Sequence, residues 1–385
     1  MVKTSSLKGY WNSDRKAGIR PYTLVMSLNS FCNSATKAIS EMVSGCIPVT
    51  HPHGRNEVGL NKERLDRTLL GTTLNPNIYN ILLVGYEPKS TETFLNNFRS
   101  RSRKRIESVL VLENGTLPAI TEGASKAADL VFEASEATRE NIDWSDLILG
   151  VKCGGSDATS GITSNPVVGY VVDHAIENGG TAIFSETTEI IGAEHILAKR
   201  TASKEVTSKI YESTRKNEEM AILNGVDLVG TNPVPDNIKG GLSTIEEKSL
   251  GSILKSGTTK IMDVIDYAKT PPGKGLYFMD SPSAATEVST ALMASGCQLI
   301  LFSTGNGNPM GNPISPVVKV TGNPRTAKVL KLHIDVDVSD IITGDTSIRE
   351  AGERTIGSVE KVINGKMTRA EILRHYEYSP VPIGL

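Results

Sequence analysis

Cysteine is scarce in this sequence. Its four residues, Cys32, Cys46, Cys153 and Cys297, are scattered, with no C-x-x-C pair among them. That spacing excludes a zinc knuckle and argues against a disulfide framework, and free thiols fit a reducing cytosol. Long apolar runs are missing too. The longest, around residues 81–84, falls far short of the roughly 20 residues that span a bilayer. Residues 1–20 are polar and charged, which is not the pattern of a signal peptide. The expectation is a soluble, cytoplasmic protein without membrane contact. Nor is there an excess of positive charge: 41 Lys and Arg stand against 43 Asp and Glu, a net charge of -2, which speaks against a nucleic-acid partner. One local basic run, Arg99, Arg101, Arg103, Lys104 and Arg105, reads as a solvated helix end, with an anion-binding patch as the alternative. Finally, no phosphate-binding glycine fingerprint follows the first strand, where Asn29-Ser30-Phe31-Cys32-Asn33 stands instead. A nicotinamide-dependent oxidoreductase is therefore set aside.

What is present is alternation. A chain of 385 residues implies two or three domains at roughly 150 residues each. Residues 22–28 (YTLVMSL), 47–50, 78–84 (IYNILLV), 106–112 and 147–151 (LILGV) read as strands. Between them, residues 33–43, 61–70 with Asn61 as N-cap, 91–103 and 120–139 read as helices. Such alternation implies a mostly parallel sheet covered by helices on both faces, with ligands outside the carboxyl ends of the strands. From Lys152 onward glycine, asparagine, proline and threonine become dense. Residues 179–184, 275–279 and 298–302 read as strands, 204–223 and 283–295 as helices, and 231–242 as a loop. The expected architecture is α/β. A Rossmann-like, mostly parallel sheet domain over 1–146 precedes a larger α/β domain over 147–385.

The informative loops follow strands. Lys152-Cys153-Gly154-Gly155-Ser156-Asp157 precedes a helix start at Thr163-Ser164-Asn165-Pro166. Its glycines let backbone N–H groups approach an anion, and the helix terminus adds favourable partial charge. Cys153 is a soft metal ligand or a small packed thiol. Ser185-Glu186-Thr187-Thr188-Glu189 and Glu194-His195 follow the next strand. This concentration of carboxylates beside an imidazole suits a hard divalent cation or a general base. The plain alternative is that Glu186 and Glu189 charge the first turn of a helix. Asn237 and Lys239-Gly240-Gly241 lie in a third polar loop, where Lys239 can grip a carboxylate or sit on the surface. That loop runs into a helix with a capping-box pattern at Ser243 or Thr244. Asp280-Ser281-Pro282 and residues 304–313 (TGNGNPMGNP) close two further strands. Asn306 and Asn308 suit a polyol, because amides both donate and accept, or belong to an ordinary turn. In the first half, His51-Pro52-His53-Gly54-Arg55 puts two imidazoles within reach of one site, a metal or a substrate. Glu87 falls at the same sheet edge.

Together these segments resemble the altronate/galactarate dehydratase family, which includes sulfolactate sulfo-lyase large subunits. The resemblance runs from Gly9-Tyr10 and Gly18-Ile19-Arg20 through KCGGSDATSGITSNP, GGTAIFSETTEIIGAEHIL and NPVPDNIKGGLSTIEEKSLG to GLYFMDSP and LILFSTGNGNPMGNPISPVVKVTGN. It implies a lyase that removes a hydroxyl, or a sulfonate, beside a carboxylate-activated carbon, assisted by ferrous iron or manganous ion. On that reading Cys153, Glu186 and Glu189 lie at the metal. Lys152, His51 and His195 are the acid–base candidates. Arg55, Ser156, Asp157, Asn237, Lys239, Asn306 and Asn308 meet the hydroxy-acid substrate. Three departures stand out. Arg55 replaces the cysteine of the family's H-x-x-G-C, Gly85-Tyr86-Glu87 shortens its G-L-G-C-E turn, and Pro21 follows Arg20 where asparagine is expected. Arg55 puts a permanent cation where a thiol stands in relatives and can bind a second anionic group. Relatives carry a small SAF-type domain ahead of this region or as a separate subunit. A partner of roughly a hundred residues is therefore expected, in a homo- or hetero-oligomer. The competing reading is a non-catalytic sugar-acid-binding relative that has lost the metal.

Overall fold

The computed structural model describes residues 6–381. Its strands in chain order are β1 (Leu7–Trp11), β2 (Ala17–Gly18), β3 (Tyr22–Ser27), β4 (Cys46–Val49), β5 (Ile78–Gly85), β6 (Ile106–Leu110) and β7 (Glu140–Ile142). There follow β8 (Ile148–Cys153), β9 (Thr181–Ser185), β10 (Ile261–Ile265), β11 (Gly275–Met279), β12 (Leu299–Ser303), β13 (Val317–Thr321) and β14 (Val336–Asp337). Two sheets are parallel. One has the order β4-β3-β5-β6, the other β10-β11-β9-β8-β12-β13-β14. Parallel strands need crossovers, and helices supply them, so both faces of each sheet are covered. No described helix is long and apolar enough to cross a membrane.

Alternation along the strands sorts the core. In β3, Leu24 and Met26 point to one side and Val25 to the other. Val25 meets Ala35, Ile39, Ala127 and Leu130 on the helices Asn33–Met42 and Thr116–Ser135. Leu24 and Met26 belong to a core that also holds Ile183, Tyr277, Ile300 and Phe302 of the second sheet. The two sheets thus share one middle layer, in which the helices Gly59–Leu74 and Ala285–Ala294 lie against each other. A Cβ at Gly71 would stand 2.3 Å from the Ala294 carbonyl oxygen, so only glycine allows this approach. Buried amides stitch the same seam. Asn75 Nδ2 donates to the Met293 and Cys297 carbonyls, and Asn77 Nδ2 to those of Gln298 and Ile314.

β1 pairs antiparallel with β2 and β7 in a third, small sheet. Its Leu7, with Ile19 and Ile142, packs into the core of the second sheet. Arg20 is buried and forms a two-pronged ion pair with Glu371 at 2.8 and 3.1 Å, while Tyr22 donates to the same carboxylate. The early segment is thereby tied to the helix Arg369–Ile372.

Several local expectations are corrected. The second helix starts at Gly59 with Val58 as N-cap, so Asn61 lies inside its first turn. The stretch read as a loop over 231–242 carries the short helix Pro235–Lys239, opened by a proline whose missing N–H costs nothing there. Lys104, read as part of a solvated basic run, is buried and donates to the Thr73 and Asn75 carbonyls. It satisfies acceptors at the end of the Gly59–Leu74 helix.

Candidate active site

In the second sheet the chain runs outward from β8 to β9 on one side and returns to β12 on the other. The crevice between the carboxyl ends of β8 and β12 is a topological switch point, where open α/β sheets bind ligands. Lys152 and Phe302 are register partners there, and the Lys152 ammonium stands 5.4 Å over the Phe302 ring. The polar loops singled out in the sequence meet at this edge. Gly155 O accepts from the Gly305 and Asn306 N–H groups, Gly240 O accepts from Ala158 N–H, and Asn237 Nδ2 donates to Ser156 O at 2.8 Å.

Beneath these loops lies a buried ionic cluster. Glu186 follows β9 in the left-handed region, φ +83°, a costly conformation for a residue with a side chain. Ser281 holds it there. Its Oγ accepts from Glu186 N–H at 3.1 Å and its carbonyl accepts from Thr187 N–H at 3.0 Å. The turn sends the Glu186 carboxylate back to Lys152, which donates to it, and to the Cys153 N–H at 3.2 Å. Glu189 Oε2 accepts from Cys153 Sγ at 2.8 Å and Ser252 Oγ at 2.9 Å. Lys255 Nζ sits among them all, 3.0 Å from Cys153 Sγ, 2.9 Å from Glu186 Oε2, 2.8 Å from Glu189 Oε2 and 3.0 Å from Ser252 Oγ. Every one of these side chains is buried.

Burial pushes the Cys153 thiol up to about 12, with Glu189 adding to the effect and Lys255 opposing it, so the sulfur is protonated and neutral. Burial and Glu189 also raise the Glu186 carboxyl, against Lys152 and Lys255. For Glu189 burial is outweighed by Lys255, Lys248 and Lys152, which hold its carboxyl well below the usual range. Burial works against the Lys255 ammonium, yet its neighbours hold it well above its ordinary value. Two carboxyl groups and two lysine amines thus meet in three buried ion pairs, Lys152 with Glu186 and Lys255 with both Glu186 and Glu189. The ligand atoms of Cys153, Glu186 and Glu189 all lie within 4.8 Å of one another, a spacing that can hold a metal ion. A thiol with two carboxylates is a donor set for a borderline divalent ion.

The other sequence-stated candidates divide. Ser156 and Asn237 are buried at the loop junction. Asp157 caps the helix Ala158–Ile162, with Oδ1 accepting from Ser160 N–H at 3.0 Å and Oδ2 from Asn323 Nδ2 at 2.7 Å, and so fastens the loop. Lys239 and Asn306 are exposed, and Asn306 donates to Asp236 O. Asn308 Oδ1 accepts from Met310 N–H. His195 is exposed on the helix Glu194–Ala198, away from the buried cluster that its sequence neighbours form. His51 and Arg55 are at the carboxyl edge of the first sheet. His51 is buried with Nε2 3.2 Å from Ser27 O, which fixes the tautomer and leaves Nδ1 without a partner. Burial, with His53 adding to it, lowers His51 to about 4. Arg55 is exposed over the Tyr86 ring and lines a cavity of about 430 Å³ with Asn29, Glu57 and Glu87.

Comparison with known proteins now adds to this geometry. Residues 9–135 match the family model described as D-galactarate dehydratase/Altronate hydrolase, second domain, and residues 144–385 match D-galactarate/Altronate dehydratase, C-terminal. The chain belongs to the galactarate/altronate dehydratase family. It is 38% identical to the (2R)-sulfolactate sulfo-lyase subunit beta of Chromohalobacter salexigens, over 98% of this chain and 97% of that one. It is 30% identical to the altronate dehydratase of Bacillus subtilis, over 95% of this chain and 75% of that one. To the galactarate dehydratase (L-threo-forming) of Escherichia coli it is 31% identical, over 78% of this chain and 59% of that one. The family is one of lyases.

At the first sheet edge the Gly85-Tyr86-Glu87 turn has a visible role. Glu87 accepts from the Lys89 and Ser90 N–H groups and caps the helix Pro88–Arg99. Gly85 is required beside it, since a Cβ would meet Thr91 Oγ1 at 2.1 Å. Sequence reasoning missed Ser252 and Lys255. No local signal marked them, since Ser252-Ile253-Leu254-Lys255 is a short mixed run that the fold alone buries in part. A cavity of about 280 Å³ flanks the helix that carries Ser252, lined by Ser156, Ser160, Asn165, Glu247 and Lys248. Asn165 Oδ1 is buried without a partner there.

Proposed function

We propose that this chain is the large subunit of a metal-assisted hydro-lyase that dehydrates a sugar acid, an aldonate or aldarate, to a 2-keto-3-deoxy acid. The observation that carries this reading is the Cys153–Glu186–Glu189 cluster at the switch-point edge, with a small cavity along the helix that bears Ser252. A cavity of about 280 Å³ suits a short acid rather than a large cofactor. Lys248 offers its ammonium to the substrate carboxylate, and the unpartnered Asn165 Oδ1 accepts from a hydroxyl. Cys153, Glu186 and Glu189 would hold the divalent ion, Fe2+ or Mn2+, which supplies Lewis acidity for the charge that builds on the carboxylate when its α-proton leaves. Lys152 is the acid–base group of the cluster. Held by Glu186 and by the Cys153 carbonyl, it takes the C2 proton after passing its own to Glu186. The C3–O bond breaks, the leaving hydroxyl takes the proton held on Glu186 and departs as water, and the enol ketonises. His51 remains a second acid–base candidate, at the other sheet edge.

A second reading is favoured by one observation, the match along 97% of a sulfo-lyase subunit. With a sulfonated 2-hydroxy acid the leaving group is sulfite, the product is again a 2-keto acid, and Arg55 has a sulfonate to bind. Either way a small SAF-type subunit completes the enzyme in a hetero-oligomer. The test is a panel of aldonic, aldaric and sulfonated hydroxy acids, assayed with ferrous or manganous ion and the small partner. Keto-acid formation without sulfite supports the hydro-lyase, and keto acid with equimolar sulfite supports the sulfo-lyase. No product from any substrate sinks both and leaves a binding protein. Replacing Glu186 and Glu189 together by glutamine is expected to abolish bound metal, and retention of the ion would remove the metal placement.

A further inference from the structure

The three metal-capable side chains do not face an open space. An atom of the protein itself, Lys255 Nζ, lies within hydrogen-bond reach of all three, 3.0 Å from Cys153 Sγ, 2.9 Å from Glu186 Oε2 and 2.8 Å from Glu189 Oε2. An ammonium donates three hydrogen bonds, and here it finds those three acceptors and Ser252 Oγ. Lys152 donates to the remaining oxygen of Glu186. Both carboxyl groups of the trio are thus already ion-paired to lysines of the chain. Adding a divalent ion without removing a lysine would leave uncompensated positive charge in a fully buried site, which is strongly unfavourable.

We propose that Lys255 is the cluster's resident cation: its ammonium holds the metal position, and an ion enters only by displacing it, so Lys255 sets the affinity of the site. Lys255 stands on the short helix Ile253–Ser256, followed by Gly257 at φ +68°. The inference rests on the metal placement proposed above but not on the reaction, since uptake is read without turnover.

The probe is Co2+, added to the purified full chain and followed by the thiolate-to-cobalt charge-transfer absorption that Cys153 would generate. Lys255→Met keeps the length of the side chain and removes the charge. It is expected to bind Co2+ at least about tenfold more tightly than the parent. Lys255→Arg, which keeps the charge, is expected to bind no better than the parent. The band of Lys255→Met must vanish when Cys153→Ser is added. Without metal Lys255→Met should melt below the parent, and Co2+ should raise its Tm more than that of the parent. Should the variant not fold alone, it is refolded with Co2+. Recovery supports the exchange, and failure to fold even with Co2+ overturns it. Equal affinity of parent and Lys255→Met, a band that survives Cys153→Ser, or no band in Lys255→Met also overturns it. A chain that shows the exchange but turns over no hydroxy acid keeps this inference and loses the lyase reading.

Discussion

Single side chains carry most of what is chemically unusual in this molecule. Glu186 has the least freedom. Its left-handed backbone and its contacts to Lys152, Cys153 and Lys255 are fixed together. Replacing Lys152 by methionine leaves a buried carboxylate with one ammonium instead of two. The expected cost is about 3 kcal/mol, read as a lower urea midpoint at unchanged m-value. A change below about 0.5 kcal/mol, as for ordinary surface substitutions, would show that Lys152 is not part of the ion pairing. His51 gives a pH signature. Its folded-state value lies near 4 against an ordinary 6.5, so the unfolded chain binds the proton more readily. Its contribution to stability is complete above pH 6.5 and falls as the pH drops toward 4, by up to roughly 3 kcal/mol. Urea melts at pH 5 and pH 7 should diverge in the parent and converge in His51→Gln; equal divergence in both would refute this. That Lys152, Cys153, Glu186 and Glu189 come together was legible in the sequence because residues at the carboxyl ends of strands, and those just beyond, are placed by the sheet. Lys255 was not, since one lysine in a short helical turn reads as surface until the fold buries it. His195 misled for the converse reason. It stands close to Glu189 in sequence, and the helix Glu194–Ala198 carries it outward into solvent.

Among the elements, the contact between the helices Gly59–Leu74 and Ala285–Ala294 deserves a direct test. Alanine normally stabilises a helix interior over glycine by about 0.5–1 kcal/mol. At Gly71 the new Cβ meets a backbone oxygen at 2.3 Å, and Gly71→Ala should instead destabilise by roughly 1–3 kcal/mol. Gly357, in the helix Ile348–Ile363 with nothing within 4 Å of its Cβ position, is the control and should show the ordinary gain. Thermal melts of the two variants moving in the same direction would show that the seam is looser than described. The strands β3 to β6, β8, β9, β11 and β12 were read because apolar β-branched runs between polar turns leave few alternatives, whereas β10, β13 and β14 towards the edges of the second sheet were not read. The helix Lys204–Leu223 fell on its expected limits because Ser203 caps it, its Oγ accepting from Val206 N–H. The small antiparallel sheet was not foreseen. β1 and β7 are short and find each other only across the fold, a pairing with no local pattern behind it.

At the scale of the molecule, two sheets share one core, so the division expected near residue 146 separates sequence regions that bury each other. Residues 1–146 expressed alone would expose Leu24, Met26, Ile47 and Leu83, an apolar face of the kind that drives aggregation. The fragment is expected to be insoluble or molten, with collapsed near-ultraviolet circular dichroism, whereas the full chain melts cooperatively. A fragment with a sharp thermal transition would show that the first sheet is self-sufficient. The family resemblance was legible because loops at the ends of strands keep their order along the chain. The substrate was not, because the residues that line the cavity of about 280 Å³, such as Ser156, Asn165 and Lys248, come from separate segments that only the fold brings together.

The ion pairing of the buried cluster also bears on timing. Proteins whose metal ligands repel one another must find their ion before they can fold. Here Lys152 and Lys255 pair with Glu186 and Glu189 within the chain itself. Folding of the chain therefore does not wait on an ion at this cluster.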